Sequence, residues 1–218
     1  MFESVNVIGR GRVGSAVADR LSERGVALRE DGALQLLCVP DGAIAGLART
    51  LARGPWVAHV SGGTPLAALD PHTKRFSVHP LQTFTRERGA EQLDGAWAAV
   101  TAEDAAGHER ATWLAETLGL RPFALADERR PLYHAGAAIA SNYLVTLHRA
   151  ASRLLEDAGA PPAALVPLMT RTIENGFELT GPISRGDWET VRRHIDAIRA
   201  DAPDLEPMYR VLAEATRA

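Results

Sequence analysis

The sequence predicts an α/β protein, with a truncated parallel-sheet domain over residues 1–126 followed by an all-helical domain over residues 127–218. Three observations carry this expectation. The apolar run Val5-Asn6-Val7-Ile8 enters Gly9-Arg10-Gly11-Arg12-Val13-Gly14 and then an alanine-rich helical stretch. Short apolar runs alternate with helical segments as far as Leu125. Beyond Ala126 the pattern has only helical periodicity.

In the glycine segment, Gly9 permits a tight turn and Gly11 lets a pyrophosphate approach the backbone. Gly14 lets the helix pack closely on its strand, with free N–H groups facing the phosphates. The spacing therefore predicts a Rossmann-like dinucleotide-binding unit. Ser15–Arg24 reads as its helix, ended by Gly25. Leu34–Val39 is a continuous apolar strand, as in a sheet covered on both faces. Asp41 is the expected N-cap of a helix over Ala43–Ala52. Strands at Trp56–Val60, Arg75–Val78, Trp97–Thr101 and Arg121–Leu125 follow, with a helix at Ala105–Leu118.

The segment after the first helix is abnormally short. Val26-Ala27-Leu28 reads as a second strand, with Glu30 or Asp31 as the acid that would bind a ribose. Yet Leu34 opens the next strand almost at once. Returning to the start of a parallel five-residue strand takes about 17 Å. The residues between Glu30 and Leu34 reach at most about 14 Å. Both segments therefore cannot be full parallel strands, and about one helix and one strand are missing. The pyrophosphate cradle is retained while the adenosine side is cut down.

The helical half begins with a long tract over Glu128–Asp157, broken near its start by Pro131. Ala163–Leu179 follows, then a helix capped by Asp187 and running through Ile198, then Asp204–Thr216. A nucleotide-type layer joined to a helical half predicts a cleft between the two for a small molecule.

Composition narrows the function classes. A net charge of −3 argues against nucleic acid or an anionic membrane as main partner. The seven histidines are scattered, so no metal site is expected. Cys38, the single cysteine, lies in an apolar strand and reads as a buried, inert thiol. The sequence lacks a run of ~18 apolar residues and a leader pattern, which predicts a soluble cytoplasmic protein.

Several stretches carry a family resemblance in order: Asn6–Gly14, Val39-Pro40-Asp41, His59-Val60-Ser61-Gly62, His79–Phe84, His134-Ala135, Ala140–Leu144 and Thr180–Asp187. Together they resemble the Rossmann-like proteins with a DUF2520 C-terminal domain, within the 6-phosphogluconate dehydrogenase-like superfamily. That superfamily includes pyrroline-5-carboxylate, ketopantoate and prephenate reductases and dehydrogenases. The resemblance implies an oxidoreductase using NADP or NAD and a homodimer built through the helical domain. It implies cofactor contacts at Gly9, Arg10, Gly11, Arg12, Val13, Gly14, Pro40 and Ser61.

For substrate, His79 ends a strand, where α/β sheets place ligands, and prephenate dehydrogenases carry a similar His-Pro near their substrate. Gln82 is a neighbouring polar contact. Ser61-Gly62-Gly63 either offers N–H groups to a ligand or is a plain strand-exit turn. His134, Ala138 and Asn142 share one helical stripe, with Ser141 adjacent. Hydroxyacid dehydrogenases and ketopantoate reductases of the superfamily carry a lysine four residues before the equivalent asparagine. Here that position is Ala138, so that mechanism does not transfer; His134, the only titratable residue on the stripe, is either the acid/base, with Asn142 orienting the carbonyl, or a structural or binding residue. Arg185 either clamps a substrate carboxylate or pairs on the surface. Two functions are open: an NAD(P)-dependent reductase of a small keto or imino acid, and a metabolite-binding or regulatory protein that has lost full dinucleotide binding.

Overall fold

The computed structural model describes residues 1–217. The chain forms two compact units, Met1–Ile139 and Ala140–Ala218. The composition change at 126/127 therefore precedes the division in packing. Residues 127–139 belong with the sheet because Asp127 and Arg130 bond to its loops: Leu66 N–H donates to the Asp127 carboxylate at 3.0 Å, and Arg130 donates to the Ser61 carbonyl at 3.0 Å.

The first unit holds β1 (Ser4–Ile8), α1 (Arg12–Glu23), β2 (Ala27–Leu28), β3 (Leu34–Leu37), α2 (Asp41–Ala48), β4 (Trp56–His59), β5 (Arg75–Pro80), β6 (Trp97–Ala102), α3 (Ala105–Thr117), β7 (Arg121–Ala124) and α4 (Arg130–Ala138). The sheet has seven strands in the order β2-β1-β3-β4-β5-β6-β7. The first five run parallel, whereas β6 is antiparallel to β5 and parallel to β7. A return of opposite sense needs no crossover helix, and the β5–β6 connection has none, only the 3-10 turn Ala90–Leu93. One face is covered by α1 and α3 over a core that includes Val5, Val17, Leu21, Phe76 and Leu114. The other core gathers Leu37, Ile44, Val57, Leu66 and Leu69.

β2 is a two-residue stub paired to β1 at Ser4 and Val5, while β3 pairs with the other edge of β1 from the same Val5 level. The connection crosses β1 directly. Gly32 lies so close that a Cβ there would sit 2.7 Å from the Asn6 nitrogen. Asn6 Nδ2 holds the crossing by donating to the Glu30 carbonyl at 3.2 Å and to Gln35 Oε1 at 2.8 Å. The expected loss of a helix and a strand is thus realised as a five-residue bridge over β1.

Several helix boundaries differ from expectation: the helix expected over Ala43–Ala52 ends at Ala48, and the one expected over Ala163–Leu179 spans Leu165–Glu174. α2 starts at Asp41 with Pro40 as its N-cap, so Asp41 lies in the first turn and not at the cap. Proline already fixes the φ that a helix start requires. The tract read as one helix to Asp157 is divided by the π-helical segment Ile139–Tyr143.

The second unit holds α5 (Leu144–Asp157), α6 (Leu165–Glu174), α7 (Trp188–Asp201) and α8 (Glu206–Arg217). Asp187 caps α7 as expected, accepting from Thr190 N–H at 3.1 Å. Its described buried hydrophobics are few: Leu165, Val191, Ile198, Ala202 and Ala213. Val166, Leu168, Ile173, Phe177, Leu179 and Val211 are each more than half exposed. No helix among the described residues is long and apolar enough to cross a membrane.

Candidate functional site

The site is assembled at the carboxyl ends of the parallel strands. Gly9 leaves β1 with φ +102°, and a Cβ there would lie 2.4 Å from the Cys38 carbonyl oxygen. Gly14 is tighter still, its Cβ position lying 2.0 Å from the Gly9 carbonyl oxygen. Both glycines are dictated by close approach of backbone to backbone. Gly11 differs, because nothing lies within 4 Å of its Cβ position. It is the N-cap of α1, no side chain caps that end, and the first helical bond runs from Ser15 N–H to the Gly11 carbonyl at 2.9 Å. The uncapped N–H groups and the open space at Gly11 fit a pyrophosphate.

The ribose side does not fit in the usual way. β2 stops opposite Val5, three residues short of Ile8, which is about 10 Å before the glycine turn. Asp31, one of the two expected ribose acids, is engaged by Arg29 at 2.9 and 3.1 Å. That guanidinium holds its carboxyl below the ordinary carboxylate range. The short β2 leaves no strand end to carry an acid up to the cradle.

The exit of β4 is a closed turn. Ser61 Oγ accepts from Gly63 N–H at 3.3 Å and Thr64 N–H at 3.0 Å, and Ser61 N–H donates to His59 Nδ1 at 3.2 Å. Ser61 thus organises the turn with its own polar groups. A Cβ on Gly62 would lie 2.7 Å from His79 Cε1 and 3.0 Å from His134 Cδ2. The absent side chain is what admits both imidazoles.

His79 and His134 meet edge to face, with ring centroids 6.2 Å apart. His79 Nδ1 and the Tyr133 hydroxyl share a hydrogen bond of 2.7 Å. Burial, with help from His134 and Arg130, pushes the His79 pKa down to about 4. Burial pushes that of Tyr133 up to about 12, so the pair is neutral near pH 7. His134 is exposed beside it.

Beneath them Arg130 is buried, donating to the Ser61 carbonyl at 3.0 Å, to Asp127 Oδ1 at 2.7 Å and to Ser77 Oγ. Burial lowers its pKa, and the bond to Asp127 opposes that.

Arg10, Arg12 and Pro40 are exposed around the turn, Val13 is half-buried, and Gln82 accepts from Thr83 N–H at 2.9 Å. Asn142, Ser141 and Arg185 belong to the second unit. There Ser141 Oγ donates to Asn142 Oδ1 at 3.3 Å within the π-helical segment, and Arg185 is exposed. Tyr133 and Arg130 are the site residues that sequence reasoning missed. Arg130 precedes His134 by one helical turn, so extending the stripe back four residues reaches it.

The buried histidines make acid destabilising. Burial foremost, then Arg130 and His79, pushes the His59 pKa down to about 3. Both His59 and His79 have folded values below the ordinary 6.5, so the unfolded chain binds more protons. Their contribution is complete above pH 6.5 and declines toward pH 4 for His79 and pH 3 for His59. Within that window stability should fall by up to about 1.4 kcal/mol per pH unit for each histidine. Urea midpoints measured from pH 7.5 down to 5 should decline, and less steeply in His59→Gln. A flat wild-type profile would contradict neutral burial.

The sheet with its five parallel strands β2-β1-β3-β4-β5, the glycine turn and the uncapped α1 define a Rossmann-like protein. Residues 96–216 match the family described as a domain of unknown function, DUF2520, and the chain belongs to that family. No curated protein matches it significantly. Among solved structures it is similar to a proposed NADP oxidoreductase from Bacteroides fragilis, with a TM-score of 0.81, 19% identity, and coverage of 98% of this chain and 97% of the other. A protein from Thermotoga maritima matches with a TM-score of 0.78 at 21% identity, covering 98% and 96%. The 1-pyrroline-5-carboxylate reductase of Streptococcus pyogenes matches with a TM-score of 0.62 at 12% identity, covering 98% of each chain. At these identities the likeness is one of fold.

Proposed function

We propose that this protein is an NAD(P)-dependent oxidoreductase acting on a small keto or imino acid. The observation that carries the reading is the uncapped α1 behind Gly9–Gly14, on the same sheet edge as His79, Tyr133 and His134. The names of two neighbours, an NADP oxidoreductase and a pyrroline carboxylate reductase, support the same chemistry.

A bound nicotinamide would supply or accept hydride. The backbone N–H groups at the start of α1 would hold its pyrophosphate. His134, exposed and in edge-to-face contact with His79, would give a proton to the substrate carbonyl or imine. The neutral His79–Tyr133 pair would offer hydrogen bonds without a charge that competes for that proton. Asn142, Ser141 and Arg185 enter by residue type: an amide and a hydroxyl to orient a carbonyl, and a guanidinium for a carboxylate.

Titration calorimetry with NADH and NADPH tests the reading, with saturable binding expected below about 1 mM. No saturation there would overturn it and favour the metabolite-binding alternative, which the stub of β2 supports. With a substrate in hand, His134→Ala should lower kcat by about 100-fold or more. Unchanged turnover would remove His134 from the chemistry.

The thin core and exposed apolar helices of the second unit support a homodimer formed through that unit. Sedimentation equilibrium should give the mass of two chains, and Leu168→Asp should shift it toward one. A wild-type monomer at micromolar concentration would refute the dimer.

A further inference from the structure

The sheet edge that carries His79 continues across β6 and β7. β6 runs against β5 and β7 runs with β6, so both strands begin where β5 ends. His79, Ala99 and Phe123 stand opposite one another in one row. Opposed residues share a face, and here it is the face away from α1 and α3, whose core takes the alternate residues Ala98 and Val100. Tyr133 spans this row. Its hydroxyl bonds to His79 Nδ1 at 2.7 Å, and its ring meets Phe123 with centroids 5.9 Å apart.

The next row on the same face, about 7 Å nearer the edge, is Leu81, Trp97 and Arg121. Leu81 N–H donates to the Trp97 carbonyl at 2.8 Å, and Trp97 pairs with Arg121. Trp97 is 52% exposed and Leu81 40%. The indole is held from two sides, with its centroid 6.3 Å from that of Phe123 and 6.0 Å from the Arg121 guanidinium. Ring contacts run unbroken from Trp97 through Phe123, Tyr133 and His79 to His134. The exposed parts of Trp97 and Leu81 amount to on the order of 200 Å². A stable protein interface takes about 800 Å² from each partner, so the patch has the size of one small-molecule ring. Arg121 gives it a cationic rim that suits an acid.

We propose that this shelf is the side-chain subsite of the active site, and that the substrate is a keto or imino acid with a planar apolar side chain. Resting on the oxidoreductase reading above, the ring lies on Trp97 and Leu81 while the reacting carbon stands at His134. Trp97 is then the residue that sets specificity.

Phenylpyruvate and pyruvate share a reacting group and differ by one phenyl ring. Calorimetry would compare their binding with and without NADPH or NADH, beside turnover of each. The wild type should bind phenylpyruvate at least about tenfold more tightly than pyruvate, as expected for burying one ring. Trp97→Ala should cut that preference to about threefold or less, and Trp97→Phe should keep most of it. Trp97 is half exposed, so the fold is expected to survive, and thermal melting would check it. Leu81→Ala, which should lower the preference partly, gives a second reading if Trp97→Ala melts early. Phenylpyruvate binding that depends on Trp97, with no turnover by either cofactor, would refute the oxidoreductase reading and leave the subsite standing. Turnover of both acids with equal affinity would overturn the subsite and leave the oxidoreductase. A preference unchanged in Trp97→Ala, or no phenylpyruvate binding, would overturn it as well. A lower sedimentation mass in Trp97→Ala would assign the patch to contact between copies of the chain and against a substrate.

Discussion

Arg130→Ala is expected to destabilise the sheet unit by about 2–3 kcal/mol, because its buried hydrogen bonds are lost while the Asp127 carboxylate left behind is one third exposed. The side chain spans three elements. Its guanidinium joins Asp127, the Ser61 carbonyl in the β4 exit and the Ser77 hydroxyl on β5. Asp127 in turn accepts from Leu66 N–H at 3.0 Å. Without Arg130, the Ser61 carbonyl and the Ser77 hydroxyl lose a buried partner, and the Asp127 carboxylate, one third exposed, loses its counter-charge. The same clamp carries α4, so Tyr133 and His134 should lose their seating against His79 and Gly62. Urea denaturation should show a lowered midpoint with an unchanged slope. Asp127→Asn, which keeps an acceptor for Leu66 and Arg130, should cost less. A loss below about 1 kcal/mol in Arg130→Ala would mean the clamp is not structural.

The second expected result separates the cradle from the scaffold. Gly11→Asp should fold like the wild type, because its Cβ position meets nothing within 4 Å and its φ is −73°. It should nonetheless weaken dinucleotide binding by about 100-fold or more, near 2.7 kcal/mol, by setting a carboxylate where the pyrophosphate would lie. Gly14→Ala should do the reverse and fail at folding, since its methyl group would lie 2.0 Å from the Gly9 carbonyl oxygen. Thermal melting and calorimetry on both variants would check the contrast. Unweakened binding in Gly11→Asp would refute the cradle.

Particular residues show where sequence reasoning succeeded and where it stopped. The strand–turn–helix at Val5–Arg24 was legible because it is local: alternating apolar residues, then glycines at fixed spacing. The short link after Leu28 was legible as well, because a chain of a few residues has a limited reach. How that link is solved was not. The crossing over β1 depends on Gly32 lying against Asn6, a contact between segments that no spacing rule pairs. Pro40 displaced Asp41 from the cap of α2 because both residues suit a helix start and only the backbone path chooses between them.

The candidate site divides in the same way. His79 and His134 were visible as titratable residues at a strand end and on a helical stripe. Tyr133 was passed over because it lies off the stripe of His134, and its partner His79 is 54 residues away. Arg130 lies in the charged run before Pro131, and nothing in its immediate neighbours signals that it is buried.

By itself, the sequence determined the Rossmann-like sheet, the glycine turn, the truncated second strand and the helical second half. Each follows from periodicity, glycine spacing or chain reach, which act over a few neighbouring residues. Only the tertiary structure decided that Gly62 makes room for two histidines and that Arg130 lies beneath them. Those arrangements arise from side chains far apart in the chain, brought together by the burial of a shared core. Their geometry is set by what packs between them.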